Sequence, residues 1–92
     1  MRVYIITYAS YDGYDNYLYS DSCTTPDKVT AEKLYKEWKD SAFKDANGDG
    51  EDSYEVFQEE FDFGRGKKYI VQRSVGYEEE FQAEIILSST EI

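Results

Sequence analysis

Asp52-Ser53-Tyr54-Glu55-Val56-Phe57-Gln58-Glu59-Glu60-Phe61-Asp62-Phe63-Gly64 decides what the middle of this chain contributes to the fold. Asp52 to Glu55 fits a capping box with an aspartate cap. Tyr54, Phe57 and Phe61 follow at helical spacing, and Gly64 supplies a stop. The spacing predicts a short helix. Upstream, Thr24-Thr25-Pro26-Asp27 is a helix entry, with Thr25 as cap, Pro26 at the first helical position and Thr30 as the alternative cap. Ala31, Leu34, Tyr35, Trp38 and Ala42 then recur at helical spacing, while Glu32/Lys36, Lys33/Glu37, Lys36/Asp40 and Asp40/Lys44 sit four apart on the solvent side. Asn47-Gly48 and Asp49-Gly50 break that helix.

Outside this helical pair the pattern changes to strands. Arg2 to Tyr11 and Tyr14 to Cys23 are rich in β-branched and aromatic residues and flank Asp12-Gly13, a type I′ hairpin signal. With Tyr11 opposite Tyr14, Tyr8 faces Tyr17 and Ile6 faces Tyr19 on one side. Thr7 then faces Leu18 and Ile5 faces Ser20 on the other, and either side can serve as core. Gly64-Arg65-Gly66 is turn-forming. Lys67 to Ser74 and Glu78 to Ser88 form a second hairpin around Val75-Gly76, with Phe81, Ala83, Ile85 and Leu87 on one apolar face and Arg73 opposite Glu78. Residues 1–92 therefore read as one α+β domain of order ββααββ, a four-stranded, mainly antiparallel sheet with two helices packed on one face.

Composition narrows function. The chain has 20 acidic residues against 10 basic ones, a net charge of −10, and no histidine. Direct nucleic-acid binding is disfavoured, because phosphates are repelled by that field. The commonest general base and every Ser-His or Cys-His nucleophile are absent, so the expectation is a non-enzymatic protein. Cys23 is the single cysteine and no basic-then-apolar leader opens the chain, which fits a reducing cytoplasm. No apolar run is long enough to span a bilayer as a helix. Gly64-Arg65-Gly66-Lys67-Lys68 is a minor candidate for a phosphate contact, with a solvated turn as the commoner meaning.

The acidity is local: from Asp45 to Asp62 there is no Lys or Arg. Two readings compete for it. Asp45-Ala46-Asn47-Gly48-Asp49-Gly50 resembles the first half of the EF-hand calcium loop, where alternate side chains converge on a hard cation and a sixth-position glycine permits the turn. That resemblance implies side-chain ligands Asp45, Asn47 and Asp49, the backbone carbonyl of Glu51, and Ser53 at the water-bridged position. It departs at the eighth position, Asp52, and at the twelfth, Val56, where a bidentate glutamate belongs. A shortened loop brings in Glu55, and the implied calcium site is weak.

In the second reading Asp49, Glu51, Asp52, Glu55, Glu59, Glu60 and Asp62, with Tyr54 and with Glu78, Glu79, Glu80 and Glu84 in support, form an acidic, tyrosine-rich surface aimed at a basic groove. The short, acidic, Tyr-rich profile resembles the small phage-encoded inhibitors of host defence, of the anti-CRISPR and DNA-mimic type. That resemblance implies a basic, nucleic-acid-binding defence complex as partner, action in the host cytoplasm and no required cofactor. A calcium-binding helix-loop-helix module and a small structural or adaptor domain are the alternatives.

Overall fold

The computed structural model describes residues 1–13, 16–48, 54–76 and 78–92. Its elements are β1 (Arg2–Asp12), β2 (Tyr17–Thr25), α1 (Lys28–Asn47), β3 (Tyr54–Phe63), β4 (Gly66–Val75) and β5 (Glu78–Glu91). The strands form one five-stranded sheet in the order β2-β1-β5-β4-β3, and every pairing is antiparallel. The ββααββ, four-stranded architecture is thus overturned: there is one helix, and the predicted second helix is an edge strand.

Tyr54, Phe57 and Phe61 fit a helical stripe, yet Phe57, Phe61 and Phe63 also share one face of a strand, since side chains alternate with period two. A stretch dense in Tyr, Val and Phe favours the pleated form. The deciding factor is nonlocal. β4 pairs with β5 on one side and would expose its other edge if residues 54–63 were helical. The hairpin through Gly64-Arg65 lets Phe63 face Gly66 and Tyr54 face Val75 along the full length of β4.

The helix lies on one face, over the central strands. Its N-cap is Asp27, not Thr25, because the Asp27 carboxylate accepts the Val29 amide at 3.2 Å and the Thr30 hydroxyl. Gly48 caps the other end, its amide donating to Lys44. Ala31, Tyr35, Ala42 and Ala46 are buried. Three alanines on the inner stripe let the backbone approach the sheet closely, against Ile6, Tyr8, Tyr69, Val71, Ala83, Ile85 and Leu87. Leu34, Trp38, Val56 and Phe81 pack on the margins of this core. The Ile6/Tyr8 side of β1 is therefore the covered one.

Both hairpin registers differ from the expectation. Tyr8 faces Asp21 and Ile6 faces Cys23, because Asp12 closes a longer turn with Asn16 and a bulge follows Ser10. In the β4–β5 hairpin Val75 faces Glu78, Ile70 faces Glu84 and Arg73 faces Phe81, so the Arg73–Glu78 pair is replaced by an Arg73–Glu80 contact at 3.6 Å.

Candidate functional site

Every strand runs along one axis of a molecule 47 Å long, so residues far apart in sequence meet at its two ends. One end collects the finish of β1 and α1, the finish of β4 and the starts of β2, β3 and β5. Asp12, Asp45, Glu55, Glu78, Glu79 and Glu80 therefore share that end, with Asp45 on the helix side and Glu55 on the uncovered side of the sheet. Gly13 rests directly on the Glu79 backbone, joining the β1 turn to the start of β5. Lys44 and Arg73 are the described bases nearby. Arg73 is committed to the fold: its guanidinium donates to the Asp45 and Ala46 carbonyls, lies beside Glu80 and stands 5.6 Å from the Phe81 ring. Glu55, Glu78 and Glu79 are exposed and have no cationic partner among the described residues. Like charges at such spacing repel one another and lower the cost of accepting a basic ligand.

The expected acidic surface is only partly assembled. Along β3, Glu55 and Glu59 point to the uncovered face of the sheet, whereas Glu60 and Asp62 point to the helix face. Glu60 is structural. Its Oε2 accepts the Tyr35 hydroxyl at 2.7 Å and the Lys39 ammonium at 2.9 Å. Lys39 first and Tyr35 second hold the Glu60 carboxyl below its usual range, while burial and then the Glu60 hydrogen bond push the Tyr35 hydroxyl up. Lys39 also lies over the Tyr35 and Tyr69 rings, and Lys67 over Tyr35, so lysines from other elements neutralise this part of the segment. Asp62 faces Lys67 across the β3–β4 ladder. Acids along β3 have a further role, since charge on an unpaired edge discourages another chain's strand from adding to it.

Asp49, Glu51 and Asp52, the Tyr54 side chain and the Ser53 position lie outside the described residues. Of the calcium-loop set, Asp45 and Asn47 are both helical, two residues apart, and so diverge around α1. Glu55 belongs to strand β3 rather than to a second helix, so the helix-loop-helix frame is absent. Among the described residues no group of three or more acidic or cysteine side chains could hold a metal ion.

Sequence reasoning missed three features. Phe57, Phe61 and Phe63 are not core but stand exposed, Phe57 at 57 %, on the uncovered face. Arg65 and Lys67 of the glycine-rich turn meet Arg2 and Lys28 around a cavity of about 360 Å³ at the opposite end. Tyr19, Asp21, Trp38 and Asp45 surround another cavity. The two cavities have no local signature, because each is assembled from several elements, whereas the Phe57, Phe61 and Phe63 stripe lies within β3 alone and is visible only once the period is read as two. No helix is long and apolar enough to cross a membrane, among the described residues. No protein-family model, curated protein or solved structure matches this chain.

Proposed function

We propose that this is a non-enzymatic interaction protein that presents its acidic end to the basic, nucleic-acid-binding surface of a partner protein, as an inhibitor of the DNA-mimic type. The observation that carries the reading is the convergence of Asp12, Asp45, Glu55, Glu78, Glu79 and Glu80 from four elements on one end, with Arg73 engaged internally. Carboxylates held at the ends of strands and helix form charge-assisted hydrogen bonds to Arg and Lys. The surface differs from the one expected of the sequence: Glu60 and Asp62 drop out, and Asp12 and Asp45 enter beside Glu55, Glu78, Glu79 and Glu80. The phage-type profile, short, acidic and rich in tyrosine, supports the assignment to a host-defence complex as target.

The test is affinity capture from a host lysate at low and high salt, comparing the wild type with a Glu55→Lys/Glu78→Lys/Glu79→Lys variant. All three positions are exposed, so the fold is retained. The expected result is a nucleic-acid-binding protein captured at low salt, released by high salt and lost in the variant. Capture that is indifferent to all three reversals refutes the proposal.

A further inference from the structure

Between α1 and the edge strand β2 lies a cavity of about 190 Å³ with aromatic and acidic side chains in its walls. Trp38, Ser41 and Asp45, spaced three and four apart, come from one stripe of the helix. Tyr19 and Asp21, two apart, point to the same face of β2, and Tyr8 stands across the ladder from Asp21. The Tyr8 and Tyr19 rings meet edge to face at 5.6 Å. Asp21 is oriented by its neighbours, accepting the Tyr19 hydroxyl at 3.3 Å and the Ser22 amide at 2.8 Å. The Asp45 carboxylate has no hydrogen-bond or ion partner among the described residues. Among the described residues no lysine or arginine lines the space.

Three aromatic rings and two carboxylates around one opening make a site for a cation with a planar, weakly hydrated head. Ring faces attract positive charge, and the carboxylates accept the fork of N–H donors of a guanidinium. Size limits the guest: drug-sized ligands need roughly 300 Å³ or more, so this space suits one side chain. We infer that this cavity receives the side chain of an arginine from the basic partner, anchoring it beside the acidic end. The identity of the guest's owner rests on the function proposed above, while the chemistry of the cavity does not.

Trp38 is the only tryptophan of the chain and lines this cavity, so its fluorescence responds to a guest there. The test titrates the full chain with N-acetyl-arginine methylamide and with the matching lysine and citrulline amides, citrulline being the uncharged isostere. Arginine amide is expected to change Trp38 emission in a saturable way, with citrulline amide about tenfold weaker for lack of charge. Asp45→Asn weakens the arginine response by a similar factor, and so does Asp21→Asn. Glu59→Gln, on the opposite face of the sheet, leaves it unchanged. Asp45 is exposed, so Asp45→Asn keeps the fold and decides between the outcomes even if Asp21→Asn does not.

Equal responses to citrulline and arginine, a stronger response to lysine, or indifference to Asp45→Asn overturns the inference. A calcium-induced change abolished by Asp45→Asn, without an arginine response, overturns it in favour of a metal. Arginine binding with no protein captured overturns the wider function but not the cavity; the reverse outcome overturns only the cavity.

Discussion

Truncating Glu60 separates a structural acid from a partner-facing one. Glu60→Ala removes the acceptor of the Tyr35 hydroxyl, on a residue only 2 % exposed, and the partner of Lys39. A buried hydroxyl left without its acceptor costs about 1–3 kcal/mol. The Lys39 ion pair, with 26 % and 41 % of its two side chains exposed, adds at most about 1 kcal/mol after solvent screening. The sum is about 1–4 kcal/mol. For a domain of this size each kcal/mol moves Tm by about 4–8 °C, so the midpoint of thermal unfolding followed by circular dichroism should fall by roughly 5–30 °C. Glu60→Gln, which keeps an acceptor, should lose about half as much.

The pH dependence has a definite sign. The carboxyl is held below its ordinary 4.5 in the folded chain, so its stabilising contribution is complete above that value and is lost as pH falls through the folded pKa. The gap between wild type and Glu60→Ala should therefore narrow below pH 4.5. A Glu60→Ala protein melting within about 3 °C of wild type, the range of ordinary surface substitutions, would refute the structural role.

Two other substitutions probe the frame that positions the acidic end. In Gly66→Ala the new Cβ would stand 2.0 Å from the Leu87 carbonyl oxygen, a backbone atom, so the β4–β5 ladder must shift. The urea midpoint should drop by an amount equivalent to at least ~2 kcal/mol, and an unchanged midpoint would show that the strands are spaced more widely. Asp27→Ala should lower Tm at neutral pH by uncapping α1. Because the Thr30 hydroxyl chiefly, and the Val29 amide, hold the Asp27 carboxyl below its usual 3.8, the deficit should fade as pH drops below that value. A deficit that stays constant down to pH 2 would mean that Asp27 acts through something other than its charge.

The helix and four of the five strands are legible in the sequence because their periodicity is unambiguous: Ala31, Tyr35 and Ala42 fall on one helical stripe, and Ala83, Ile85 and Leu87 alternate. Residues 54–63 satisfy both periods in part. What excludes the helix is the need of β4 for a partner on its outer edge, a demand that no local window contains. The β1–β2 register escapes the sequence for a related reason. Asp12-Gly13 advertises a two-residue turn, but Asp12 binds the Asn16 amide and side chain and lengthens it. Each such shift relocates acids: Asp21 arrives beside Tyr8, and Glu80 rather than Glu78 reaches Arg73. The acidic end is thus half legible. Glu55, Glu78 and Glu79 stand out in the sequence, whereas Asp12 joins them only because β1 lies against β5.

The placement of β1 between β2 and β5 sets a timetable for folding. Its two neighbours in the sheet are β2, close by in the chain, and β5, which joins Arg2 to Glu91. A lone β1–β2 hairpin is marginal in water, and α1 has no completed platform on which to dock until residues 78–91 are present. During synthesis the nascent segment must therefore stay open through β4 and then zip shut late, a high-contact-order route that is slow and leaves unsatisfied strand edges to chaperones in the interval.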